Sequence, residues 1–405
     1  MRYRRAAITR KLAMPRLAAR TERISPFYVM EIVKAAAQLQ AAGRRVIHLS
    51  IGEPDFPTPA PVQEAARAAI AAGQTGYTPA LGLPALRERI AAHYASAHAV
   101  AVDPARIAVT AGASGALLLA LAALIERGDE VLVPDPGYPC NRHFVTALDG
   151  TVRAIACGPD SRFQPDAATV AAHWGERTRG VILASPSNPT GTSITPQALR
   201  ELLELVRSKE GFALVDEIYL GLTFDRAPGS ALALADDALV ISSFSKYFCM
   251  TGWRLGWLVL PPSMVAAVER LAQNLYICAS AVAQRAALAC FDDETIAICE
   301  ARRREFRRRR DFLVPALRRI GLEVPVQPDG AFYAYVDIGR FAADSWSFAF
   351  DLLAAAGVCL VPGRDFGLHE PQRYVRVSYA TAREDLEEAV ARIEVFLRSR
   401  PRVSA

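Results

Sequence analysis

The motif Ser243-Phe244-Ser245-Lys246 is followed, eight residues after its lysine, by Arg254 within Gly252-Trp253-Arg254-Leu255-Gly256-Trp257. A lysine among hydroxyls with an arginine close behind it is the pattern of an amine that condenses with an aldehyde beside a phosphate clamp. Condensation needs the neutral amine, and nearby positive charge with partial desolvation lowers a lysine pKa toward that state. Composition singles out the same residue: the other lysines are Lys11, Lys34 and Lys209, in a tail or on polar helical faces. The flanking Ala238-Leu239-Val240-Ile241 and Trp253 to Leu260 are apolar enough to be buried, which disfavours the plainer reading of a surface turn.

A bound phosphate needs backbone amides at a helix N-terminus, hydroxyl donors and usually an arginine. Ala111-Gly112-Ala113-Ser114-Gly115 follows the strand-like Arg106 to Thr110 and opens the apolar helix Ala116 to Ile125. Alone, such a turn is more often a simple helix cap; beside Ser243, Ser245 and Arg254 it completes a cradle. Asp216 ends the apolar run Phe212-Ala213-Leu214-Val215 and precedes Glu217-Ile218-Tyr219. A buried carboxylate there requires a cation, and a pyridinium nitrogen suits it better than a metal, because no His or carboxylate cluster accompanies it. Ser185-Pro186-Ser187-Asn188-Pro189-Thr190-Gly191 is a turn that can project the Asn188 amide into a crevice, and Tyr138 in Asp135-Pro136-Gly137-Tyr138-Pro139 can lie against a planar ligand.

These residues need a scaffold that brings distant loops together. From about residue 104 to 260, short apolar runs alternate with amphipathic stretches, the pattern of a mainly parallel sheet covered by helices. Strands are predicted at Arg106 to Thr110, Glu130 to Pro134, Thr151 to Cys157, Gly180 to Ala184, Phe212 to Asp216, Ala238 to Ser242 and Gly256 to Leu260. In such α/β sheets ligands gather beyond the carboxyl ends of the strands, so the loops should meet in one crevice. After about residue 296 a long arginine-rich helix leads to predicted strands at Phe332 to Val336, Val358 to Val361 and Tyr374 to Tyr379 and a last helix from Arg383. The expected organisation is a tail over 1–22, presumed disordered, a large unit over 59–296, and a smaller α+β unit from 23–58 plus 297–405.

With 405 residues the chain can bury a large core, and its net charge of +5 is scattered. The arginine-rich run Arg302 to Arg310 wraps around a helix at its spacing and reads as a solvated, salt-bridged face. Without interleaved aromatics or a recognition motif, nucleic acid is not an expected partner. Seven cysteines without CxxC or Cys/His spacing exclude a disulfide framework or structural zinc and point to the cytoplasm, and no apolar run is long enough for a membrane helix.

The set SxSKxxxxxGxRxGW, SNPTG and DEIY resembles the class I/II, fold-type I pyridoxal-phosphate aminotransferases of the aspartate/alanine type, and the likeness runs from about Ile24 to the C-terminus. The resemblance implies Lys246 as the internal-aldimine lysine, and Arg254, Ser243, Ser245 and Ser114, with Ala113, around the phosphate of pyridoxal 5'-phosphate. Asp216 would pair with the pyridine nitrogen, Asn188 and Tyr219 with the phenolic oxygen, and Tyr138 would stack on the ring. Arg376, in Tyr374-Val375-Arg376-Val377-Ser378-Tyr379, would clamp the substrate carboxylate beside Asn188 and the amide of Gly52. Tyr77, in Gly76-Tyr77-Thr78-Pro79, would reach the partner's phosphate in a homodimer with shared sites. The implied activity is ping-pong amino transfer by an aldimine mechanism between an L-amino acid and a 2-oxo acid, with 2-oxoglutarate the expected acceptor. A C–S β-lyase is the rival enzyme. An aminotransferase-like regulator is the other alternative, and the stretch before Ile24 is too short for its DNA-binding domain. For the substrate side chain, Arg142, Tyr276 and Ile51 are the candidates, and none is decisive.

Overall fold

The apolar runs between residues 104 and 260 condense into one seven-stranded sheet in the computed structural model, which describes residues 15–225 and 229–400. Numbered along the chain, the first strand, β1, is Ile47–His48, and the large sheet is built from β2 (Ile107–Thr110), β3 (Glu130–Asp135), β4 (Thr151–Ala156), β5 (Thr178–Ala184), β6 (Phe212–Asp216), β7 (Leu239–Ser243) and β8 (Gly256–Val259). Its spatial order is β2-β8-β7-β6-β5-β3-β4. Strands β3 to β7 pair in parallel, and β8 runs antiparallel to both β7 and β2. Several of these strands are buried along their whole length, as a sheet covered on both faces requires. The reversal of β8 matters for the site. It brings the start of that strand, and the loop before it, to the edge where the parallel strands end.

The later strands form two small sheets. β9 (Tyr333–Asp337), β11 (Val361–Pro362) and β12 (Tyr374–Ser378) make an antiparallel sheet with β12 in the middle, and β10 (Val358–Cys359) pairs in parallel with β1. The single strand expected at Val358 to Val361 is therefore two strands in different sheets. Backbone bonds from Leu49 N–H to Cys359 C=O (2.9 Å) and from Ser378 N–H to Leu49 C=O (2.8 Å) stitch the chain after β1 to both. We propose residues 59–296 as the large unit and 23–58 with 297–405 as the small one, a division supported by this grouping of strands. One apolar cluster crosses it, joining Tyr219, Leu222 and Phe224 to Phe306, Phe332 and Val375. The expected tail over 1–22 lies mostly outside the described residues; within them, Ala19–Arg23 forms a 3-10 turn and Arg20 pairs with Asp149 at 3.0 Å.

The arginine run corrects the expectation of a solvated face. It lies on the helix Asp293–Arg319, where Arg309 and Arg310 are buried. Arg309 bonds both oxygens of Asp55 (2.8 and 2.9 Å) and Arg310 bonds Asp225 and the Pro328 carbonyl, so one face of the run ties down loops instead of meeting water. Helical geometry is the reason: a continuous run must present some members to whatever the helix packs on. No described helix is long and apolar enough to cross a membrane.

Gly256 faces Thr110 on one side and Ser243 on the other. A Cβ there would lie 2.8 Å from the Gly112 carbonyl carbon, 2.8 Å from the Ser242 oxygen and 2.9 Å from the Ala113 nitrogen. Because those atoms are backbone, Gly256→Ala is expected to destabilise the protein by about 1–3 kcal/mol. Urea unfolding should show this as a lower midpoint with an unchanged slope.

Candidate active site

Six loops at one edge of the large sheet enclose a cavity of about 630 Å³ together with the small sheets. The registers explain why the loops converge. Thr110, Gly256 and Ser243 lie in one row across β2, β8 and β7, and Ala184, Asp216 and Ile241 lie in another across β5, β6 and β7. Residues that follow these rows therefore leave the sheet side by side. Ala113 and Ser114 come from the first turn of the helix after β2, Asn188 from the loop after β5, Asp216 from the end of β6, Ser243 from the end of β7, and Ser245 and Lys246 from just beyond it; all line the cavity. Tyr138, after β3, is half-buried in the same wall.

Arg254 enters from the loop before β8, in a left-handed conformation with φ 52°. It packs so close to Gly112, itself at φ 72°, that a Cβ on that glycine would lie 2.8 Å from the Arg254 Nη2. Only glycine satisfies both the positive φ and the contact. The result is a guanidinium held beside the first turn of the helix Gly112–Leu124, where backbone N–H groups are unpaired and the dipole is positive. Ser243 Oγ donates to the Leu255 carbonyl (3.0 Å), lies 2.9 Å from Ser245 Oγ and accepts from Ser245 N–H (3.1 Å). The Ser245 hydroxyl, which Ser243 orients, the unpaired amides and the guanidinium are a group that could serve a dianionic phosphate.

Lys246 Nζ donates to the Gly52 carbonyl at 2.5 Å and sits 5.8 Å from the Tyr219 ring centre. Burial, then the positive charge of Arg376 and Arg254, pulls its pKa down to about 8 against the opposing carboxylates of Glu53 and Asp216. Asp216 is buried at the end of β6 and accepts from Ile218 N–H at 3.0 Å. Desolvation outweighs that bond and the pull of Lys246, raising the carboxyl to about 6. Such an acid gains from a bound cationic N–H.

Arg376 is buried on β12, whose Val375 and Val377 point the other way into the apolar core. It donates to Asn188 Oδ1 (2.9 Å) and the Ser50 carbonyl (2.8 Å), and its guanidinium lies 4.3 Å from the Tyr333 ring centre. Among the described residues, its Nε has no partner. An arginine with a free buried N–H and spare hydrogens on both terminal nitrogens is ready for a carboxylate. Gly52 belongs to this corner too, since a Cβ on it would reach 4.0 Å from Arg376 Nη2 and 3.5 Å from the Tyr333 hydroxyl.

Two groups lie elsewhere. Tyr77 is 83% exposed and lines no part of this cavity. Arg142 donates to the Asp365 carbonyl (2.8 Å), and neither it nor Tyr276 lines the cavity, whereas Ile51 does. Sequence reasoning missed Tyr333, whose hydroxyl lies 3.0 Å from that of Tyr219 and whose ring carries Arg376. A tyrosine in a buried strand is a signal, because its hydroxyl needs a partner, but the partner's identity is not local. Sequence reasoning also missed the wall of Phe27, Val29, Met30 and Val33, for which the sequence offers only an ordinary amphipathic helix.

The family model for aminotransferase class I and II matches residues 44–393. The valine–pyruvate aminotransferase of Mycobacterium tuberculosis is 41% identical over 378 residues, 93% of this chain and 97% of that one. The crystal structure of an aminotransferase from Mycobacterium tuberculosis superposes with a TM-score of 0.92 at 41% identity, covering 95% of this chain and 100% of that one. The aspartate aminotransferase from Thermus thermophilus, solved with maleate, gives 0.89 at 34% identity, with 94% and 100% covered. The match over most of the length, on the α/β fold and mainly parallel sheet just described, places this enzyme in one family: the chain belongs to the class I and II aminotransferases, of the aspartate aminotransferase-like, fold-type I kind.

Proposed function

We propose that the cavity binds pyridoxal 5'-phosphate through Lys246 and that the protein moves an amino group between an L-amino acid and a 2-oxo acid by alternating half-reactions. The observation that carries this reading is the fit of one cavity to three demands at once: a phosphate cradle, a buried acid lacking a cation, and a lysine of lowered pKa. Arg254, Ser243, Ser245, Ser114 and the amide of Ala113 would take the phosphate. Asp216 would face the ring nitrogen, Asn188 and Tyr219 the phenolic oxygen, and Tyr138 the flat of the ring. Tyr77, exposed on this chain, suits a role at a partner's phosphate in a homodimer. A cytoplasmic setting fits the seven free cysteines.

When bound, the cofactor supplies a carbonyl carbon that takes up the amino group and a ring that withdraws electrons from the substrate α-carbon. The protein's contribution is positional and protonic. Arg376, with Asn188 and Gly52, orients the substrate by its carboxylate, so that the α-hydrogen faces Lys246. Lys246 Nζ, whose lowered pKa raises its neutral fraction, would take that proton and return one, acting as base and then acid. Asp216 holds charge at the cavity floor, and the Tyr219–Tyr333 hydroxyl pair presents a fixed donor on the other side. Aromatic and apolar walls exclude water from the exchange.

Absorbance of the reconstituted protein tests this reading. Adding an amino acid should replace the visible band with a near-ultraviolet one, and a 2-oxo acid should restore it; ammonia and pyruvate released from a sulfur amino acid would instead mark a lyase. Because only the neutral amine attacks a carbonyl, cofactor capture by the apo-protein should quicken as pH rises through about 8 and level off above it. Lys246→Ala should show neither capture nor transfer. Arg376→Lys keeps the charge but loses the fork, so KM for the amino acid should rise roughly tenfold to a hundredfold. Tyr333→Phe removes one hydroxyl bond of about 1 kcal/mol and should lower kcat severalfold with little change in KM. Steady-state kinetics separates the two variants.

A further inference from the structure

The segment from Ile51 to Pro57, which carries Gly52 past Lys246, forms neither helix nor strand, and among the described residues its backbone makes no hydrogen bond to other backbone. Pro54 and Pro57 have no N–H to offer. A strap of this kind stays where its ends and its side chains hold it. Both ends are fastened. Leu49 bonds Cys359 and Ser378, and the Ser50 carbonyl accepts from Arg376. At the far end Thr58 Oγ1 donates to the Cys249 carbonyl (2.9 Å) and accepts from Trp253 Nε1 (2.9 Å). Between the ends, two hydrogen-bonding contacts are left among the described residues. The Gly52 carbonyl accepts from Lys246 Nζ, and Asp55 accepts from Arg309 through both oxygens (2.8 and 2.9 Å).

Arg309 is itself held firmly. It is 5% exposed on the helix Asp293–Arg319, and its Nε donates to Glu305 one turn back at 3.2 Å. Its guanidinium lies 5.0 Å from the ring centre of Phe56, which packs edge-on against Phe306 with ring centres 5.4 Å apart. The ion pair thus ties the strap to a long helix, three residues beyond the carbonyl that meets the lysine. Neither partner of the pair lines the cavity.

We propose that Arg309 and Asp55 are positioning residues for the proton transfer: their ion pair sets where the Gly52 carbonyl stands and so where Lys246 Nζ points. This rests on the aminotransferase reading and adds to it two residues that act through a third. The strap also has an electrostatic effect. Its carbonyl and the Glu53 carboxylate both favour the ammonium form of Lys246, as Asp216 does from β6, against Arg376 on β12 and Arg254 before β8. The buried phenols of Tyr219 and Tyr333, raised in pKa, add no charge. Releasing the strap weakens the two contributions that it carries and leaves the others in place, so the lysine pKa falls.

The test uses the full chain, with pyridoxal 5'-phosphate as the probe, and compares variant with wild type so that anything a second copy contributes is common to both. Asp55→Asn keeps the shape of the side chain and removes its charge. The pH midpoint for cofactor capture by the apo-protein, about 8 in the wild type, should fall by about half a pH unit or more. In the reconstituted variant the single-turnover rate at saturating amino acid should drop about tenfold, while the concentration giving half that rate changes less than about twofold. If Asp55→Asn does not fold, its combination with Arg309→Met removes both charges, keeps an apolar filling against Phe56, and should show the same two shifts. Arg310→Lys disturbs the neighbouring pair with Asp225, away from the strap, and should lower stability without moving either readout. A folded variant in which either readout stays put overturns the positioning role, as does an Arg310→Lys protein that moves both as far. A wild type whose cofactor capture does not depend on Lys246 overturns the aminotransferase reading itself.

Discussion

Burying the Arg376 guanidinium is the constraint around which much of this molecule is arranged. A cation removed from water needs acceptors, and among the described residues no carboxylate bonds it. Its acceptors are instead an amide oxygen from the large sheet, Asn188, and a backbone carbonyl from the N-terminal segment, Ser50, while Tyr333 and Phe366 offer their ring faces. Four parts of the chain, far apart in sequence, thus meet at one charge. Among the described residues nothing bonds Nε, which is a cost in the free protein and an attraction for a carboxylate ligand.

The same economy governs the opposite wall. Asp216 sits where desolvation raises its pKa, and its carboxyl neighbour Glu217 is raised as well, to about 8, despite bonds from Ser230 Oγ and Ala231 N–H. Two adjacent buried acids tolerate burial differently. Glu217 is satisfied by the protein and has no role in the proposed chemistry, whereas Asp216 accepts one backbone bond and faces the cavity. Lys246 lies between the acid and the arginine, and its lowered pKa reflects burial and the balance of the two. Perturbed groups with opposite needs, collected in one cleft, are the usual mark of a reactive site.

Loop anchoring extends this arrangement to the walls. Asp135 accepts from Leu368 N–H at 2.7 Å, and Gly137 N–H donates to the Phe366 carbonyl at 2.8 Å, so the loop after β3 and the loop before β12 are locked together. Asp365 in turn holds the first helix, and Arg309 holds Asp55 beyond Gly52. Arg309, expected on a solvated face, therefore acts with Asp135 and Asp365 as a tie between distant segments.

The proposed chemistry is read from local motifs. Lys246 with its serines, Arg254 with its glycines, and Asp216 at the end of an apolar run carry residue types whose purpose follows from spacing and from the strand that precedes them. The strands of the large sheet were legible too, the buried ones because a strand covered on both faces must be a short apolar run. What no local pattern contains is pairing between distant segments. The reversal of β8, the division of Val358–Val361 between two sheets, the ring of Tyr333 beneath Arg376 and the apolar wall from the first helix were each decided by tertiary packing. So was the fate of the arginine run: helical periodicity places Arg309 and Arg310 on one side, but only the neighbouring chain turns that side into an interior.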